Sequence, residues 1–338
     1  MTLNRTGVAI IGAGYWGPNL IRNFLALPEC ELRWVCDSKP GRQAYVHDKF
    51  PEVPITADFN QVLEDRGVSA VVVATPVYTH AQLTIAALEA GKHVLVEKPF
   101  ADTSSHAHEM LQVAKRCGLV LGVDHLFVYN PAILKMKELL TAGKIGGRCY
   151  AESGRVNLGP PASEVDVIWD LATHDLAMTY YIWGSLPVEV VAFGRRFLHP
   201  KLIDVAFIQL RFEDGSFTSH HVSWLSPEKV RRYFLAGNAG SLLFDDTSDK
   251  KLRQIDQGVD SRIGLKDDES KDLFYRPGTV SFPTLDSVQP LEACCRDFLS
   301  AIRQEKTPRV NGEAGLAVVQ MLEAAEESIA KGGTPVRL

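Results

Sequence analysis

Up to about residue 123, short apolar runs alternate with stretches of helical period. Val8–Ile11, Leu32–Cys36, Val68–Ala74, His93–Val96 and Val120–Val123 read as strands. Pro18–Leu27, Pro40–Phe50, Phe59–Glu64, His80–Ala90 and Thr103–Cys117 read as the helices between them. Strands alternating with helices imply right-handed crossovers and a parallel sheet. A run such as Ala70-Val71-Val72-Val73-Ala74 is apolar at every position, so both of its faces must be covered.

Beyond residue 123 the pattern changes. Pro131–Ala142 reads as a helix stopped by Gly143. Arg148–Arg155, Val188–Phe197, Asp204–Phe212, Ser216–Trp224, Val230–Ala236 and Ser241–Asp245 read as strands separated by turn residues. Asp214-Gly215 supplies the positive φ angles of a tight hairpin, and Gly237–Gly240 marks another turn. An antiparallel sheet follows, with helices Val167–Trp183 and Leu291–Gln304 expected against it and long loops over Asp246–Pro283. Gly312–Lys331 carries Ala314, Val318, Met321, Leu322, Ala325 and Ile329 on one helical face. The expectation is an α/β protein of two domains, residues 1–123 and 124–338.

A length of 338 residues suits two such domains, each large enough for its own core. The net charge of −5 argues against nucleic acid as a partner, although a local basic pocket for a small anion stays open. No apolar run approaches the roughly 20 residues of a membrane span, and the start leads directly into a strand without a secretory signal. The cysteines at 30, 36, 117, 149, 294 and 295 show no zinc-like spacing, and the His106/His108 and His220/His221 pairs split between faces. Cys36 and Cys117 fall at apolar elements, where buried free thiols are expected. No metal is expected, and the chain reads as a reduced cytoplasmic protein.

Gly12-Ala13-Gly14-Tyr15-Trp16-Gly17 lies between the first strand and the first helix, the context a dinucleotide turn requires. Gly12 permits the turn, Gly14 admits the pyrophosphate and Gly17 allows close packing, while the helix N-terminus supplies N–H donors. Pro18 suits the first helical turn. Asp37, ending the second strand, would accept from both ribose hydroxyls and repel a 2′-phosphate, favouring NAD; Arg42 nearby blurs that choice. Thr75-Pro76 and His80 fall on the same edge, His80 with a capping or core role as an equal alternative. Glu97-Lys98-Pro99 ends the strand His93–Val96, where ligands collect in open α/β sheets. Asp170 and His174, four apart, share a helical face, and a histidine beside a carboxylate is a plausible general base. Asp175 points elsewhere. Tyr129, Asn130, the Asp124-His125 pair, Arg155 and Asn157 are candidates for gripping a polar substrate from cleft-side loops.

The glycine turn, Glu97-Lys98-Pro99 and Asp170-x-x-x-His174 together resemble the Gfo/Idh/MocA family of glucose–fructose oxidoreductase-like and inositol-dehydrogenase-like enzymes, over essentially the whole chain. The resemblance implies a Rossmann domain followed by an α/β domain with a large open, mostly antiparallel sheet, whose outer face builds a homodimer or homotetramer. It implies that Lys98 contacts the substrate hydroxyl and relays its proton, that His174 is the base, that Asp170 orients substrate or His174, and that Glu97 supports the turn. Gly14–Asn19 and Val222–Pro227 resemble a bacterial nucleotide-sugar branch. That branch implies a UDP-sugar substrate, foremost UDP-N-acetylglucosamine oxidised at its 3-hydroxyl by NAD⁺. It also implies an aminotransferase acting next toward a diamino sugar for lipid A. A related uronate dehydrogenase, an NADP-dependent ketosugar reductase and a non-catalytic dinucleotide sensor remain as alternatives.

Overall fold

The apolar runs of the first half assemble into a six-stranded parallel sheet in the computed structural model, which describes residues 5–159, 165–259 and 275–338. Its elements are β1 (Thr6–Ile11), α1 (Gly17–Ala26), β2 (Cys30–Cys36), α2 (Pro40–Lys49), β3 (Ile55–Thr56), α3 (Phe59–Glu64), β4 (Ala70–Val73), α4 (His80–Glu89), β5 (His93–Glu97), α5 (Ser104–Cys117) and β6 (Leu121–Asp124). The strand order is β3-β2-β1-β4-β5-β6, so the direction of winding reverses between β1 and β4. Val8, Ala9, Ile10, Val71, Val72, Val94 and Val96 are all but inaccessible, as strands covered on both faces require. Helix ends follow local chemistry. Thr103 caps α5 by accepting the His106 N–H, and Gly118 ends it at φ +67°. Cys36 is buried as expected, whereas Cys117 is exposed because it sits on the last turn of α5, away from the sheet.

The second half comprises α6 (Pro131–Thr141), β7 (Arg148–Leu158), α7 (Thr173–Trp183), β8 (Glu189–Arg195), β9 (Val205–Arg211), β10 (Phe217–Ser223), β11 (Leu225–Gly237), β12 (Ser241–Asp245), β13 (Leu252–Ile255), β14 (Gly258–Val259), β15 (Tyr275–Arg276), β16 (Val280–Ser281), α8 (Pro290–Arg303), α9 (Gly312–Ala330) and β17 (Val336–Arg337). Nine of these strands form a sheet ordered β16-β13-β12-β11-β7-β10-β9-β8-β17, antiparallel except for the parallel pair β7/β10. Gly215 closes the β9–β10 hairpin at φ +81°. Alternation divides the sheet cleanly. Val190, Ala192, Ile208, Leu210, Val222 and Leu235 face inward and are buried, while Phe193, Phe207 and Phe217 stand exposed on the other face.

Chain contacts divide the protein into two units, residues up to Asn130 with Val288–Glu323, and Pro131–Ser287 with Ala324 to the end. The chain thus returns to the first unit after building most of the second. α8, expected on the antiparallel sheet, packs instead against α1 and the short 3-10 turn Leu126–Tyr129 of the first unit. Its stripe of Cys294, Cys295, Phe298 and Leu299 needed an apolar partner, and either unit offers one. The stretch Asp246–Pro283, expected as loops, contains β13 to β16 among its described residues, strands too short to impose a period. The helix expected over Val167–Trp183 begins as one π-helical turn, Ile168–Ala172, before α7. Among the described residues, no helix is long and apolar enough to cross a membrane.

Candidate active site

The glycine turn is built as its spacing suggests, but its glycines serve different ends. Gly12 stands at φ +99°, and a Cβ there would lie 2.4 Å from the Ala74 carbonyl oxygen. A Cβ on Gly17 would meet the Gly12 carbonyl oxygen at 2.4 Å. Both are needed by the fold itself. Gly14 has open space where its Cβ would be, so that approach is left clear for a ligand. α1 begins with no side-chain cap and no acidic residue in its first turn, which leaves its N–H donors and partial positive charge for an anion. Tyr15 is almost wholly exposed and Trp16 is half-buried. An uncapped helix N-terminus beside an unfilled glycine fits the pyrophosphate of a dinucleotide.

Asp37 ends β2 and does more than wait for a ribose. Its Oδ2 accepts the Ala13 N–H at 2.8 Å and its Oδ1 the Lys39 N–H at 2.8 Å. The carboxylate therefore ties the glycine turn to the start of α2, with lone pairs still left for hydroxyl donors. Thr75 shares a hydrogen bond with Thr79 (Oγ1 to Oγ1, 2.6 Å), and Pro76 is exposed. His80 resolves toward the core alternative. Its Nδ1 lies 2.9 Å from the Pro99 carbonyl oxygen and its Nε2 2.8 Å from that of Thr75, so neither nitrogen is left for a cofactor. It braces the chain after β4 against the chain after β5, and burial holds its pKa below the usual range.

Lys98 follows β5 on this same carboxyl edge, half-buried, with a cis peptide to Pro99. Its backbone N–H donates to Glu97 Oε2 at 3.0 Å, the support to the turn expected of Glu97. Asp124, paired in sequence with the candidate His125, ends β6 in register with Glu97. His125 follows it, 1 % exposed, with its pKa pulled to about 3 by burial and then by the charge of Lys98. The signal was present, because Asp124-His125 places two titratable groups at the end of an apolar strand.

In the second unit, Asp170 lies in the π-helical turn and His174 in the first turn of α7. A wider turn at this point re-aims side chains, and such bulges gather at functional positions. The Trp224 indole donates to Asp170 Oδ2 at 3.3 Å. Asp175 points to the core, where the Arg155 Nε and Nη2 groups bond its carboxylate at 3.0 to 3.2 Å. Arg155 is therefore not a free substrate grip. It occupies an inward position of β7, two residues from Ser153 and four from Ala151, and is 2 % exposed. Burial raises the Asp175 pKa, and the Arg155 charge opposes that.

Other substrate candidates also turn inward. The Tyr129 hydroxyl donates to Asp297 Oδ2 at 2.9 Å and accepts the Val310 N–H at 3.3 Å, while burial drives its pKa well up. It holds α8 and the segment before α9 to the first unit. Asn130 is buried beside it in sequence. Asn157 is half-buried, and its amide donates to the Leu158 carbonyl at 2.9 Å. Of Gly159-Pro160-Pro161, which follows Asn157 in sequence, only Gly159 falls within the described residues.

A parallel sheet with this glycine turn, Asp37 and a lysine on one carboxyl edge defines an NAD-binding oxidoreductase. A family model described as "Oxidoreductase family, NAD-binding Rossmann fold" matches residues 6–125, and one described as "GFO/IDH/MocA C-terminal domain" matches residues 133–243. The chain belongs to the Gfo/Idh/MocA oxidoreductase family. It is 30 % identical over 325 residues to UDP-N-acetylglucosamine 3-dehydrogenase of Acidithiobacillus ferrooxidans, covering 93 % of this chain and 94 % of that one. The solved structure of that dehydrogenase superposes with a TM-score of 0.83 at 25 % identity, covering 97 % and 98 % of the two chains. scyllo-Inositol 2-dehydrogenase (NAD⁺) of Bacillus subtilis is 27 % identical over 348 residues, covering 98 % and 95 %. The protein is thus an oxidoreductase with an NAD-binding Rossmann domain.

Proposed function

We propose that the protein oxidises a ring hydroxyl of a UDP-sugar with NAD⁺, foremost the 3-hydroxyl of UDP-N-acetylglucosamine, to the 3-keto sugar. The observation that carries this reading is the ammonium-bearing Lys98 on the sheet edge that also holds the glycine turn and Asp37. NAD⁺, when bound, accepts the hydride at its nicotinamide ring. Lys98 donates a hydrogen bond to the substrate hydroxyl and stabilises the developing alkoxide. His174 takes the hydroxyl proton, with Asp170 orienting it or the substrate. The glycine turn and the N-terminus of α1 bind the pyrophosphate, and Asp37 binds the adenosine ribose. The 30 % identity to a UDP-N-acetylglucosamine 3-dehydrogenase supports the choice of sugar. A 3-keto product suits amine transfer as the next step, so a cytoplasmic aminotransferase is the expected functional partner.

The experiment mixes protein, NAD⁺ and single members of a UDP-sugar panel, with an aminotransferase to pull the equilibrium, and follows NADH absorbance. Turnover with UDP-N-acetylglucosamine above all others supports the reading. A free inositol as the best substrate would replace it with the second reading, which the scyllo-inositol 2-dehydrogenase relative favours. NADP⁺ in parallel tests the role of Asp37. Phe193, Phe207, Phe217 and Tyr150 expose aromatic surface on one sheet face, which supports a homodimer or homotetramer through that face.

A further inference from the structure

Glu97 and Asp124 are register neighbours on adjacent parallel strands, so their side chains leave the sheet on the same side. Both are nearly inaccessible, 7 % and 1 % exposed. Glu97 Oε2 accepts the Lys98 N–H, but Glu97 Oε1 and both oxygens of Asp124 have no hydrogen-bond partner in good geometry. Two ionised carboxylates cannot lie buried side by side with most of their oxygens unpaired. One proton resolves the arrangement, because a carboxylic acid O–H on one residue donates to the carboxylate of the other.

We propose that Glu97 and Asp124 share a single proton and, as an acid pair carrying one negative charge, position Lys98 at the ligand edge. The groups facing the pair agree with this. From β5 comes Lys98, whose charge favours ionisation at both residues and so holds one negative charge in place. From the glycine turn comes Trp16 and from α8 Cys294, both lying against Asp124 and favouring its charged form. Cys295 completes the surround, both thiols being held protonated by burial, and His125, next to Asp124 in sequence, is held neutral by burial and by the Lys98 charge. Glu97, buried and facing a charged Asp124, is the member whose proton is held harder. The pair reaches Lys98 through its backbone, and Trp16 links it to the cofactor turn. Both are positioning residues.

The inference rests on the reading of Lys98 as the proton-handling residue only for its consequence in turnover, and its test uses no substrate. Infrared difference spectra of the full chain, recorded near neutral pH with side-chain ¹³C labelling of Glu and then of Asp, count buried carboxylic acids. The expected result is one acid equivalent in the Glu-labelled spectrum, assigned to Glu97, lost in Glu97→Gln and shifted in frequency in Asp124→Asn. ¹³C-carboxyl NMR of the unsubstituted protein gives a second measure if a variant does not fold, and both resonances should move together as pH rises. No protonated Glu carboxyl in the wild type, a second acid equivalent that is lost in Asp124→Asn, or independent titration of the two resonances would overturn the proposal. An inactive substrate panel with one shared proton present would count against the assigned reaction and leave the pair standing.

Discussion

Two of the buried pairs of ionisable side chains among the described residues are opposites. Arg155 and Asp175 carry unlike charges, interlock through three hydrogen bonds of 3.0 to 3.2 Å, and lie in the core of the second unit. Glu97 and Asp124 are both carboxyls, with no hydrogen-bond partner in good geometry on most of their oxygens, yet they end neighbouring strands at the ligand edge of the first unit. The first pair is complete without a ligand and can be explained by packing alone. The second is completed only by a proton. Burial by itself therefore does not mark chemistry. An unmet demand at a place where ligands bind does.

The contrast can be tested at both ends. Lys98→Ala removes the side chain that the acid pair supports, and should lower kcat by a factor of about 10² to 10⁴ while NADH still binds. Steady-state kinetics beside a fluorescence titration separates the two quantities. His174→Ala should fall in the same range, and near wild-type turnover in either variant would remove its assigned role. Arg155→Met should cost about 3–5 kcal/mol of stability by stranding the Asp175 carboxylate, with most of it restored in Arg155→Met/Asp175→Leu. Thermal and urea unfolding decide this, and an unaffected single variant would end the description of the pair as a structural one.

Glu97→Gln probes the other pair through pH. The folded-state pKa of Glu97 lies well above its ordinary 4.5, so the folded protein holds a proton that the unfolded chain releases. That contribution to stability is complete below the unfolded value and is lost as pH rises through the folded one. As pH rises above the ordinary value of 4.5 the wild type should lose stability relative to Glu97→Gln, measured by urea midpoints across the range. A parallel pH profile for the two proteins contradicts the assignment. The smallest effect belongs to Trp224→Phe, which deletes a long donor to Asp170 and should cost roughly 0.5–1.5 kcal/mol. Calorimetry resolves that difference, and no change would show that the indole does not hold Asp170.

The parallel half of the fold was legible because its strands are apolar at every position and its turns are glycine-marked, and the Asp214-Gly215 hairpin was equally plain. The destination of α8 was not, since an amphipathic stripe reports that a face is buried without naming its partner. Within the site, Gly12, Gly14, Gly17, Asp37 and Lys98 stand on one sheet edge as spacing implied. Arg155 and Tyr129 misled, because a polar side chain near a loop looks accessible until the pleat turns it inward. Asp124 was legible only as the partner of His125, and its burial beside Glu97 was not, as a carboxylate ending a strand reads as a solvated terminus. The π-helical turn before His174 has no sequence period of its own in so short a span.

Asp37 has a consequence for how this lineage could change coenzyme. The carboxylate that would turn away a 2′-phosphate also anchors the Ala13 and Lys39 amides. Replacing it with a small neutral residue would relax selectivity and loosen the dinucleotide turn in one step. Coenzyme choice and loop rigidity are thus inherited together here. A route to NADP that keeps the turn intact would begin at the exposed neighbours Ser38 and Arg42, and reach Asp37 only after another acceptor had taken over both amides.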